Sequence, residues 1–263
     1  MYTQLIADDF RTHFDLSPAY HVDGLLACGT WDIESEDQKV PLLKAALSNA
    51  LGAEISITRL PHRILGHGYE FILNDGKRYW FIPVMGTALM SQYAHIASTL
   101  GSQINILIGV AGGLAKGMKS GDFIIPTSSR GNESAQLYQR EASDSRFFPN
   151  TTLVEQFETL LSGQTIWKGE TQTCEAMYAE RPEDISDWSS RGYLGVEMET
   201  AMLFALSHHF AIPSAALLYV ADNLIEEQTM YSEDFVQAKE SRKAIKQLQY
   251  DVAVKVLLQN GAV

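Results

Sequence analysis

Apolar and polar positions fall in blocks along this chain, and their period changes from block to block. "VDGLLACG" (22–29) is a continuous apolar run closed by glycine and predicts a buried strand. "VPLLKAALSNALG" (40–52) has apolar residues three and four apart and ends on Gly52, the pattern of a helix with a glycine C-cap. "YEFILNDGKRYWFIPV" (69–84) joins two runs of β-forming residues at Asn74-Asp75-Gly76 and predicts a hairpin. "ALMSQYAHIASTLG" (88–101) predicts a helix, and "INILIGV" (104–110) a central strand buried on both faces.

"GVAGGLAKGMKSGDFIIP" (109–126) then brings five glycines, which mark a turn out of that strand, and a strand "DFIIP" leaves it. Residues 127–150 read as a polar loop, 152–163 as a helix, 164–173 as a strand and 174–190 as a loop with a short helix. "YLGVEME" (193–199) is short and strand-like, and "TAMLFALSHHF" (200–210) is helical. "SAALLYVAD" (214–222) is a buried strand, and 232–260 a long final helix. This alternation predicts an α/β fold, a largely parallel or mixed sheet covered by helices. No linker divides residues 1–263, so one domain is expected.

Composition narrows the partners. A net charge of -12 argues against nucleic acid or an anionic membrane, and leaves a small neutral or anionic ligand open. Cys28 and Cys174 lie far apart and offer neither a disulfide framework nor metal-ligand spacing, so reduced thiols, no metal and a cytoplasmic location are expected. The first residues lack the apolar run of a signal peptide, and no stretch reaches the roughly 18 apolar residues of a membrane helix.

In open α/β sheets, ligands bind beyond the C-terminal ends of strands. Three features fall there: "GVAGG" (109–113), the pair Glu197 and Glu199, and Asp222. The glycines are either a tight turn or a backbone that approaches a ligand closely. Each glutamate is either an acid at a helix start or a two-oxygen acceptor for vicinal sugar hydroxyls, with Met198 as an apolar wall. Asp222 is either a turn residue or a partly desolvated acid able to give a proton. His208 and His209 close a helix, where they suit its dipole better than a metal. Tyr178, Met177 and Trp188 are core aromatics and apolars or the wall of a base.

Together, "IGVAGGL…GDFIIP" (108–126), "GVEMETA" (195–201) and "VADN" (220–223) resemble the nucleoside phosphorylase and nucleosidase superfamily, in its order and spacing. The resemblance implies three layers, a mixed and mostly parallel sheet forming a distorted barrel flanked by helices, and assembly as homodimers or trimers of dimers. It implies that Glu199 binds the ribose 2′- and 3′-hydroxyls, that Met198 packs on the sugar, and that Glu197 is a second sugar contact or a structural acid. Ala111, Gly112, Gly113 and Met177 would flank the base, and Asp222 would protonate purine N7, which favours purines over uridine. Glu180-Arg181 can be aligned with a uracil-reading pair. The implied partner is a small-molecule nucleoside. No cofactor is implied beyond inorganic phosphate as co-substrate.

The sequence also departs from that pattern. "CGTWDIES" (28–35) has Gly29 but no arginine, Leu107 stands where the relatives carry a second arginine, and Val110 replaces a hydroxyl residue. Gly29, Gly86, Val110 and Arg63 are what remains for an anion. A phosphate dianion needs compensating donors, so three outcomes stand beside one another: phosphorolysis, hydrolysis with a base sought among Asp32, Glu34 and Glu36, and a catalytically weak nucleoside-binding or storage-like relative.

Overall fold

The computed structural model describes residues 4–31, 36–61, 66–142, 144–229 and 239–261. Among the described residues the strands are β1 (Gly24–Gly29), β2 (Ile57–Arg59), β3 (Tyr69–Ile72), β4 (Arg78–Val84), β5 (Asn105–Gly113), β6 (Phe123–Arg130), β7 (Arg146–Phe147), β8 (Ile166–Thr173), β9 (Gly195–Glu197) and β10 (Ser214–Asn223). The helices are α1 (Ala7–His13), α2 (Glu36–Leu51), α3 (Gly86–Thr99), α4 (Glu133–Gln136), α5 (Thr151–Leu160), α6 (Pro182–Ser190), α7 (Thr200–His209) and α8 (Lys239–Asn260).

The sheet runs β10-β6-β8-β9-β5-β1-β4-β3-β2, and β10 also pairs with β5. That last pairing closes β10, β6, β8, β9 and β5 into a barrel, with β1, β4, β3 and β2 as an open wing. The longest ladders are parallel: β5 with β10, β6 with β8 and β1 with β4. Antiparallel pairs sit at the hairpin β3–β4 and where β9 meets β5.

Alternation along β1 shows the layers. Leu26 and Cys28 pack with Leu43 and Leu47 of α2, Phe157 of α5 and Val256 of α8. Leu25 and Ala27 pack with Met90 and Tyr93 of α3 and Met202 and Phe204 of α7. Helices therefore cover both faces, as a buried parallel sheet requires.

Three expectations are corrected. "GVAGG" is no turn: β5 continues to Gly113 and is laddered to β10 and β9. The polar stretch 127–150 is not all loop, because β6 runs on to Arg130 and α4 and β7 follow. Two of its serines are strand residues: Ser128 and Ser129 of β6 are buried, and Ser129 Oγ lies 3.0 Å from Thr173 Oγ1. The strand-like stretch 193–199 shrinks to Gly195–Glu197.

Candidate active site

One edge of β5 pairs with β10 along its whole length. The other edge changes partner: β1 accompanies it as far as Ile108, and β9 takes over at Gly112. Between the two the sheet opens at the C-terminal end of β1, the place where such sheets bind ligands.

Glu199 fills that opening. Its Oε1 accepts the Gly86 N–H at 2.6 Å. A Cβ on Gly29 would lie 2.7 Å from its Oε2, so a larger residue there would have to displace the carboxylate. Gly86 itself has φ +78, a conformation that glycine adopts freely. The last residue of β1 and the first of α3 thus form a cradle for one carboxylate.

Glu197, the last residue of β9, is 5 % exposed. Its Oε2 accepts the N–H groups of Glu199 at 2.7 Å and Thr200 at 2.6 Å. Its Oε1 accepts the Thr173 hydroxyl, and Thr173 Oγ1 in turn accepts the Ala201 N–H at 3.0 Å. The role of helix-start acid therefore belongs to Glu197. Glu199, at the N-cap of α7, makes no side-chain cap bond.

Burial raises the proton affinity of both acids. For Glu197 it is opposed by the Thr173 hydroxyl and the Glu199 and Thr200 amides. For Glu199, burial and then the charge of Glu197 push the carboxyl up to about 8, against the pull of the Gly86 and Met198 amides. The acid with more donors, at a helix N-terminus, keeps the charge, so Glu199 is the one that holds a proton.

Asp222 lies one strand away. After a bulge between Val220 and Asp222, Asp222 stands opposite Gly112, whose other neighbour is Val196 of β9. Gly112 is thus sandwiched between the aspartate strand and the glutamate strand. A Cβ on it would meet Leu224 Cδ1 at 2.7 Å and Val196 Cγ1 at 3.3 Å. Ala111 and Gly113 are buried beside it. Asn223 fixes the turn after Asp222: its amide donates to the Ala115 and Met118 carbonyls at 3.1 and 3.0 Å, and its Oδ1 accepts the Ile225 N–H at 3.1 Å. Only its place in "VADN" pointed to it.

Glu180 is half-buried, and burial followed by the charge of Asp222 raises its carboxyl. Arg181 turns away, 71 % exposed and paired with Asp184 at 3.2 Å. The Glu180-Arg181 pair is therefore split. Met177 is half-buried in a short 3-10 turn, and its neighbour Tyr178 meets Trp31 edge-on at 5.6 Å, Trp31 lying just beyond β1. Trp188, half-buried, packs against the cluster of Leu114, Tyr193 and Val196.

The anion-binding reading of Gly29, Gly86 and Val110 is altered. The Gly86 amide and the space before Gly29 are taken by Glu199 itself. Val110 is half-buried, and Leu107 is fully buried against α3 and α7. Arg63, Asp32 and Glu34 lie outside the described residues, as does the side chain of Glu36. Positive charge instead arrives from helices. Lys39 of α2, 7 % exposed, and Lys246 of α8 act on Cys28, the neighbour of Gly29. Arg242 of α8, buried, acts on Tyr219, the register partner of Val110.

A family model described as the phosphorylase superfamily matches residues 44–250. The chain belongs to the phosphorylase superfamily. This member is 28% identical to a DeoD-type purine nucleoside phosphorylase of Clostridium perfringens, over 60% of its own length and 69% of the relative's. It is 27% identical to a guanosine phosphorylase of Halorubrum lacusprofundi over 49% of its length and 54% of that protein. Its fold matches a crystal structure of uridine phosphorylase from Vibrio fischeri, complexed with 6-hydroxy-1-naphthoic acid, with TM-score 0.74 and 15% identity, covering 95% of this chain and 99% of that one. The relatives and fold neighbours are nucleoside phosphorylases, which are pentosyltransferases.

Proposed function

We propose that this superfamily member cleaves a nucleoside N-glycosidic bond and passes the pentosyl group to phosphate, with purine nucleosides preferred over uridine. The observation that carries the reading is the placement of Glu199 in the sheet opening, cradled by Gly29 and Gly86, with Asp222 across Gly112 from the same segment. Ionised Glu199 accepts the two ribose hydroxyls, and half-buried Met198 packs on the sugar. The C1′–N9 bond breaks with its electron pair going to the base, while Asp222 donates a proton to N7 so that the base leaves neutral. A phosphate oxygen then bonds to C1′ of the oxocarbenium-like sugar.

Two observations favour purines: the carboxyl of Asp222 at the base end, and the separation of Arg181 from Glu180. Lys39, Lys246 and Arg242 supply positive charge near the β1 end and support phosphate as acceptor. Water is the second reading, favoured by Leu107 and by the engagement of the Gly86 amide with Glu199. The test is product analysis with inosine, adenosine, uridine and methylthioadenosine, with and without phosphate. Phosphorolysis gives pentose 1-phosphate only when phosphate is present. Equal release of free ribose in both conditions overturns it in favour of hydrolysis. Nucleoside binding without any turnover points to the inactive, storage-like relative.

A further inference from the structure

We propose that Glu197 is the positioning residue of the sugar site: it clamps the first turn of α7 through the Glu199 and Thr200 amides and holds a fixed charge beside Glu199, so that capture of a ribose by Glu199 expels a proton. This rests on the reading that Glu199 grips the sugar.

The clamp is fully built. Both oxygens of Glu197 are used by the protein's own donors, two amides and the Thr173 hydroxyl. Thr173 of β8 extends it to Ser129 of β6 at 3.0 Å and to the Ala201 amide of α7 at 3.0 Å. One carboxylate therefore ties three barrel strands to the helix that follows Glu199. Three of the about four acceptor positions of this carboxylate are therefore occupied by the protein itself.

The charge follows from the same contacts. A carboxylate accepting two amides at a helix N-terminus, plus a hydroxyl, is stabilised in its ionised form. A second buried carboxyl two residues away does not ionise readily beside it. The other titratable groups around Glu199 do not reverse this. Cys28 of β1 feels the charge of Glu199 together with those of Lys39 of α2 and Lys246 of α8. Glu175, bonded by Thr87 of α3, lies beyond Gly86. The empty site thus holds one proton, on Glu199. A ribose diol brings two hydroxyl donors that need both Glu199 oxygens as acceptors, and the proton passes to solvent.

The probe is a purine-like C-nucleoside, whose C–C glycosidic bond is not cleaved. Calorimetry near pH 7 in two buffers of different ionisation enthalpy is expected to show about half a proton or more released per site. Glu197→Gln keeps the shape of the clamp and removes the charge. In that variant the release is expected to fall toward zero. The pH below which KM rises moves down by about one unit or more, and the preference for ribo- over 2′-deoxyribonucleosides is retained. Loss of that preference with KM raised equally at every pH would make Glu197 a sugar ligand and overturn the inference. So would a native protein that binds without releasing a proton, a measurement that needs no variant. If Glu199→Gln binds the probe as tightly as the native chain, the sugar reading of Glu199 itself fails.

Discussion

At Gly29 the side chain is missing because Glu199 needs the room: a Cβ would sit 2.7 Å from its carboxylate oxygen. Gly29→Ala is expected to leave the chain folded, to displace Glu199 and to raise KM for the nucleoside by about tenfold or more, a loss of the order expected for one charged hydrogen-bond partner. Steady-state kinetics beside a denaturation curve checks both parts. Glu199 also makes stability depend on pH. Its folded-state proton affinity lies above that of the unfolded chain, so the native state binds more protons between the ordinary carboxylate range and about 8. Stability therefore falls as pH rises through that window. In Glu199→Gln the fall is expected to be shallower, read from urea midpoints across the same pH range. An identical slope would show that this carboxyl is not the one held neutral.

Among the elements, β9 is short, three residues, and tightly constrained. Only Gly195–Glu197 ladder, yet they close the barrel between β8 and β5 and deliver both glutamates. A Cβ at Gly195 would meet Ile124 Cδ1 at 2.8 Å, Ala111 Cβ at 3.1 Å and the Gly112 carbonyl at 3.3 Å. Gly195→Ala is expected to push β9 off β5, at a cost of about 1–3 kcal/mol in unfolding free energy and with a raised KM. Wild-type stability and KM in this variant would refute that tight fit. The same crowding explains what was legible in the sequence. Continuous apolar runs announced β1, β5 and β10, and Asn74-Asp75-Gly76 announced the hairpin, because local pattern and tertiary role agree there. "GVAGG" misled, because glycine usually signals a turn, whereas here its bare backbone lets three strands and Leu224 pack closely. Ser128 and Ser129 misled because polar residues read as loop, yet they are buried residues of β6. Glu199 and Asp222 were legible as carboxyls at strand ends, but the division of labour between Glu197 and Glu199 was not. That division depends on where the α7 amides point. The influence of Lys39 and Lys246 on Cys28 and of Arg242 on Tyr219 was invisible because it comes from helices distant in sequence.

For the whole molecule, β5 stands at the centre of the site region, paired with β1 on one edge and β10 on the other until β9 replaces β1 at Gly112. Among the described residues no helix is long and apolar enough to cross a membrane. With a net charge of -12, the chain as a whole repels phosphate, so the cations near Cys28 must act locally and against the long-range field. Raising salt is therefore expected to lower KM for phosphate modestly by screening that field, and a marked rise would contradict this. If the protein assembles as the resemblance implies, sedimentation will give a multiple of the 29.2 kDa chain. The most direct test of the joint role of Glu199 and Asp222 is the cleavage of inosine and adenosine in phosphate buffer by the native protein and by Asp222→Asn. The expected result is free purine and pentose 1-phosphate from the native chain, with kcat/KM reduced about 100-fold or more in the variant, as befits loss of a general acid. Turnover of purine nucleosides that is indifferent to Asp222→Asn, or no turnover by the native chain, would contradict it.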